Sequence, residues 1–180
     1  ENSLKMLQRN LKNKVMNFTK YLFCYFVGNE PHEETIHFAV SEDGYHFTAL
    51  NNNEPIIRQK LGQKCCRDPY IFRGEDGIFH IIATDMKSTD GWANNNSMVV
   101  RDSVDLITWE NERIIDFSVF PETKSANRVW APQVVFDKKR QEYMIYWSNN
   151  NADEGWHTIP WYAYTKDFVT LATNPKILHN

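Results

Sequence analysis

No uninterrupted apolar run in the 180-residue chain reaches the 18 or so residues needed to read as a membrane-spanning helix. The first twenty residues also lack the apolar centre of a signal peptide. The chain does not begin with methionine, an upstream segment is expected to have been removed, and the compartment stays open. Cysteine is scarce: Cys24, Cys65 and Cys66 are too few for a disulfide framework and have no metal-finger spacing. Cys65 and Cys66 are adjacent and could bridge only with strain, so all three read as reduced thiols. The six histidines show no ligand spacing and no glycine-rich phosphate loop is present, so no cofactor is expected and no metal ligand is assigned, a metal at the channel staying open. A basic excess is missing too. Twenty Lys and Arg face 23 Asp and Glu, a formal charge of −3, which argues against a nucleic-acid partner.

What the chain does have is aromatic content, 14% within 42% hydrophobic residues, enough for one domain with a real core. In "SLKMLQRNLKNKVMNF", Leu4, Leu7, Leu11 and Val15 recur at helical spacing between Lys and Arg, predicting an amphipathic helix over residues 1–20 that packs on the surface of the remaining domain, a membrane surface or a partner protein being the other reading of a basic helix. From Tyr21 the period changes. Short runs such as "YLFCYFVG", "IFHIIATD", "SMVVRDS" and "EYMIYWS" are rich in β-formers and broken by Asp-Gly, Asn and Pro, predicting many short antiparallel strands and an all-β fold.

The strands repeat. Asp43, Asp105 and Asp167 are spaced 62 residues apart, each followed four positions later by Phe47, Trp109 or Leu171. "RDPYIF" and "WAPQVVFD" align with Pro69 and Pro132 63 apart, and "FHIIAT" matches "YMIYWS". A unit of this length holds about four strands, one generous propeller blade. The three aspartates then read as turn residues before the outer strand, with the apolar residue anchoring that strand. The expected boundaries are 21–66 for an incomplete blade, 67–127 and 128–180 for full ones. Propellers close with about four to eight blades, so two and a half predict a partial ring, completed by further sequence or by another chain.

The first strand of a blade lines the central channel, and proline is tolerated at its start, where no ladder partner waits. Asp68 and Trp130 are therefore expected at the channel mouth, with Arg67 beside Asp68 holding it ionised. The competing reading is a plain Arg67–Asp68 ion pair tidying a strand end. A carboxylate facing a pit with an aromatic plane nearby suits carbohydrate chemistry. Asp85, closing "HIIATD", is a further candidate for the pit or for a turn, and the Asn-rich "WANNNS" and "SNNNADEGWH" are candidate sugar-contacting loops or solvated tips.

From Tyr21 to Leu178 the segments "YLFCYFVGNE", "IHFAVSEDGYHFTALNNNEPII", "RDPYIFRGEDGIFHIIATDM" and "RVWAPQVVFDKKRQEYMIYWS" resemble, in order, glycoside hydrolase family 43. The resemblance implies a five-bladed β-propeller of arabinosidase and xylosidase type that inverts at the anomeric carbon with two Asp and one Glu. It implies that Asp68 is the general base and that Arg67 and Trp130 neighbour the sugar. Gln133 falls where relatives carry an acidic residue or His; an amide binds a hydroxyl but does not titrate. The pKa-tuning Asp and the acid Glu belong to later blades, so the 180-residue piece alone is expected to be inactive. Two alternatives stand beside this: a non-catalytic carbohydrate-binding propeller, and a fructan- or sucrose-cleaving family 32-like enzyme. The latter requires an Asn-Asp-Pro motif that is missing between Glu1 and Cys66.

Overall fold

The structure, a computed structural model, describes residues 20–179; the helix expected over residues 1–20 lies almost wholly outside them. Three antiparallel sheets succeed one another along the chain. The first contains β1 (Tyr21–Tyr25), β2 (His37–Ser41) and β3 (Thr48–Ala49). The second contains β4 (Cys66–Arg73), β5 (Phe79–Asp85), β6 (Ser97–Ser103) and β7 (Glu110–Asp116). The third contains β8 (Arg128–Asp137), β9 (Glu142–Asn150), β10 (Ile159–Thr165) and β11 (Lys176–Ile177). Within each sheet every strand pairs with the next in sequence. Three short 3₁₀ turns are the helical content among the described residues.

The apolar runs are explained by what covers each sheet. In the second sheet Ile81, Ala83 and Val99 pack against Cys24, Ile36 and Phe38 of the first. Their sequence neighbours Ile82, Met98 and Val100 pack the other way, against Val134, Ile145, Trp147 and Ala163 of the third. A sheet buried on both faces needs continuous rather than alternating hydrophobics, which is why "HIIA" and "SMVV" read as unbroken. Burying a side chain such as Ile81 or Ile82 contributes about 1.5–3 kcal/mol. The third sheet alternates instead: along β9, Tyr143, Ile145, Trp147 and Asn149 are buried and the residues between them partly exposed. The first strands of the sheets are neighbours, β4 touching both β1 and β8. The first strands of successive sheets thus lie side by side.

The repeat extends to individual hydrogen bonds. Asp43 Oδ1 accepts from the backbone N–H of Tyr45 and His46, Asp105 Oδ1 from Ile107 and Thr108, and Asp167 Oδ1 from Val169 and Thr170, at 2.8–2.9 Å. Two residues before each Asp, the hydroxyl of Ser41, Ser103 or Thr165 accepts from two further backbone N–H groups. The aspartates are turn residues, as the spacing predicts. Trp109 then packs its ring edge-on to Phe38, 5.9 Å between centroids, fixing the outer part of the second sheet against the first.

All three cysteines are buried and unbridged. Burial pushes the Cys65 thiol up to about 11 and the Cys66 thiol up to about 12, so neither offers a thiolate at neutral pH.

Candidate active site

The aligned prolines mark the same backbone device in two sheets. Arg67 pairs with Thr84 and Tyr70 with Ile82, so β4 spends one residue more than β5; Trp130 pairs with Ser148 and Gln133 with Tyr146, the same bulge in β8. In each bulge the residue before proline is left-handed, Asp68 at φ 48° and Ala131 at φ 49°. That region is costly for residues with a Cβ and is met at built sites. Asp is among the residues that tolerate it, and the turn carries its carboxylate out of the ladder.

Thr84, fully buried, joins the two bulges. Its hydroxyl accepts from the Ala131 backbone N–H at 2.9 Å and donates to Asp68 Oδ2 at 3.2 Å. Asp68 therefore sits at the seam between the second and third sheets, partly exposed on their inner edge.

One expectation about Arg67 and Asp68 is corrected. They form no ion pair: the Arg67 guanidinium turns to fully buried Glu34, Nη1 lying 2.8 Å from Oε1, and also donates to Asn29 Oδ1 at 2.8 Å. The Arg67 charge nonetheless favours the ionised form of Asp68. Burial raises its carboxyl above the ordinary aspartate range, and Arg67 and the Thr84 bond offset this only in part. Glu34 has its own anchor, the Ser88 backbone N–H at 3.1 Å from both carboxylate oxygens.

Around this carboxylate stand flat side chains. Arg67 is layered between Phe26, 4.5 Å from its ring, and Trp92, 5.0 Å from its ring. Trp92 meets Trp130 edge-on, centroids 6.5 Å apart, and is 50% exposed. Arg128 lies 5.1 Å from the Trp130 ring and donates through Nε to the Trp92 carbonyl at 3.1 Å. Gln133 is exposed further along β8, where its amide oxygen accepts from the Tyr146 hydroxyl. Tyr70 of β4 continues this polar line; burial first, then Tyr146, raises its hydroxyl.

Asp85 is not in that company. It is 2% exposed, and its oxygens accept from Gln59 Nε2, the Gln63 backbone N–H (2.8 Å) and Ser97 Oγ (2.8 Å). Gly62 is left-handed at φ 56°, and a Cβ there would come within 2.2 Å of Asp85 Oδ2. The carboxylate is consumed in holding the 59–63 loop, which replaces the expected sugar contact with an anchoring role. An apolar cavity of about 740 Å³, lined by Tyr21, Leu22, Ile71, Phe72 and Phe79 among others, lies at the opposite end of β4 and takes in none of these groups.

Sequence reasoning missed Glu34, Thr84 and the specific part of Trp92. Glu34 stands in a charged stretch, "HEET", that reads as loop, and nothing local links it to a residue 33 positions on. Thr84 is hidden as a β-former. Trp92 lies inside an Asn-rich loop read as a whole. Among the described residues no group of three or more His, Cys, Asp or Glu is arranged to hold a metal ion.

A family model described as a probable glycosyl hydrolase domain, related to glycoside hydrolase family 43, matches residues 16–180. An α-L-arabinofuranosidase of Bifidobacterium longum subsp. longum is 24% identical over 190 aligned positions, which cover 92% of this chain and 18% of that protein. A fructofuranosidase of Schwanniomyces occidentalis superposes with a TM-score of 0.64 at 18% identity, covering 89% of this chain and 30% of that one. An endo-arabinase of Bacteroides thetaiotaomicron superposes with a TM-score of 0.61 at 13% identity, covering 81% and 53%. The chain spans about a fifth of the curated relative it matches, and at these identities the structural likenesses speak for the fold.

Proposed function

The chain belongs to the glycosyl hydrolase domain family related to family 43, and from that membership we propose that it contributes consecutive blades of a five-bladed ring in an inverting glycosidase. Its substrate is an arabinose- or xylose-containing plant polysaccharide or oligosaccharide. Asp68 is the general base. It takes a proton from the water that attacks the anomeric carbon, on the face opposite the departing sugar. Arg67 and Trp130 border the bound sugar, and Gln133 offers a hydroxyl-binding amide. The acid and the pKa-tuning carboxylate come from further blades, supplied by the same polypeptide or another.

The observation that carries this reading is the state of Asp68. It is a partly buried carboxylate in a left-handed bulge, without an ion-pair partner among the described residues, with its proton affinity raised. A structural carboxylate such as Asp85 is saturated with donors; among the described residues Asp68 has one, Thr84, on Oδ2. The activity of the arabinofuranosidase relative supports the pentoside choice. The test is a panel of 4-nitrophenyl glycosides presented to the full-length protein, with the anomer of the first-formed sugar read by NMR. Release of a pentose with inverted configuration is expected; turnover of neither pentoside, or retained configuration, would contradict it.

A carbohydrate-binding propeller without turnover is the second reading. It is favoured by Ala131 standing in the third sheet where Asp68 stands in the second, and by Asp85 being spent on a loop. Binding without hydrolysis by the full-length protein would select it. The fructofuranosidase likeness adds fold alone, and the missing Asn-Asp-Pro weighs against that chemistry.

A further inference from the structure

We propose that Arg128, with the Trp92 and Trp130 rings, forms a position beside the reacting centre that takes a uronic acid residue of the substrate. This rests on the carbohydrate reading above and narrows it to polysaccharides carrying acidic sugars. The first observation is a charge left over. Arg67, Arg101, Arg113 and Arg140 each pair with a carboxylate at 2.8 Å. Arg128 has no carboxylate within ion-pair distance among the described residues.

The second observation is that this guanidinium is held. Its Nε is tied to the Trp92 carbonyl at 3.1 Å, and its central carbon lies over the Trp130 ring at 5.1 Å. Val129, between Arg128 and Trp130 on β8, is fully buried on the other face, so the two neighbours share the partly exposed side. With Nε engaged, the two terminal nitrogens keep four N–H donors in a fixed fork, the geometry that matches a carboxylate bidentately.

The third is the surroundings. A uronic acid combines an apolar ring face with a planar anion. Trp92, half exposed and edge-on to Trp130, offers the ring a flat surface next to the fork. The position is close to the chemistry without being part of it. Ala131, three residues beyond Arg128, is bonded to Thr84, which is bonded to Asp68. The cation that acts on Asp68, however, is Arg67.

The test uses the full-length protein and one oligosaccharide in two forms, with a glucuronic acid branch and with that branch's carboxylate reduced to the alcohol. The ratio of their dissociation constants, by calorimetry, is the readout. The wild type is expected to prefer the acidic form by about 10- to 100-fold at low salt, from a charge-assisted pair, and less at high salt. Arg128→Gln should bring the ratio close to one, and Arg128→Lys should restore part of it; thermal unfolding of each variant checks that the fold is kept. A wild type without preference, or Arg128→Gln retaining it, overturns the proposal while leaving the glycosidase reading standing. Binding and turnover of neither form would remove that reading, and this inference with it.

Discussion

Asp68 and Ala131 occupy one structural position in two successive sheets. Both are left-handed, at φ 48° and 49°, both precede a proline, and the Thr84 hydroxyl touches both. The same bulge presents a carboxylate in the second sheet and a methyl group in the third. The geometry is thus a property of the repeat, while the acid is placed in one copy of it.

Thr84 donates to the ionised form of Asp68 and so holds its pKa down against burial. Thr84→Val removes that bond and is expected to shift the acid limb of the kcat/KM pH profile to higher pH. It also leaves the Ala131 N–H without its acceptor, costing about 0.5–1.5 kcal/mol of stability. Thr84→Ser should restore both. An acid limb that stays in place or moves down would remove Thr84 from the site's electrostatics.

Because folding raises the Asp68 pKa above its unfolded value, the folded chain binds this proton more tightly. The associated stability is full below the unfolded pKa, about 3.9, and is lost as pH rises through the folded one. At pH 7 the ionised carboxylate therefore burdens the fold. Asp68→Asn is expected to unfold at a higher temperature than the wild type at pH 7, with the gap closing toward pH 4. A variant less stable at pH 7 would mean the carboxylate is a structural partner.

Glu34→Ala leaves the Arg67 guanidinium buried against Phe26 without its counter-charge. Breaking one side of a buried pair costs about 3–5 kcal/mol, read as a lower urea midpoint at unchanged slope. A loss under about 1 kcal/mol, the range of an exposed pair, would show that water reaches Arg67.

The 180-residue chain by itself is expected to release no pentose from an unactivated oligosaccharide that the full-length protein cleaves, since on the proposed assignment it supplies a base without the acid that protonates a sugar leaving group. Turnover of that oligosaccharide by the isolated chain would place the acid within it.

Much of the fold was legible because it is local and periodic. The turn aspartates, the aligned prolines and the strand runs each repeat at a fixed interval, and a repeat is visible without knowing what touches what. The contacts that define the site are of the other kind. Arg67 meets Glu34 and Asp68 meets Thr84 only because the first two sheets stack and β4 pairs with β5, so adjacency in sequence suggested the wrong partner for Arg67. Asp85 was left with two readings for a related reason: the end of a strand pointing toward the inner edge is visible in sequence, but the 59–63 loop folded over it is not. The Asn-rich loop concealed Trp92 by composition, the neighbouring asparagines reading as a solvated tip.

The assignment of Asp68 as the base is the centre of this account, and leaving-group chemistry isolates that role. A 4-nitrophenolate departs without protonation, so an acid is dispensable with this substrate while a base is not. In the full-length protein, Asp68→Asn is expected to lower kcat on a 4-nitrophenyl pentoside by about 10²- to 10⁴-fold with the fold intact. A variant that keeps wild-type kcat on that substrate would contradict it.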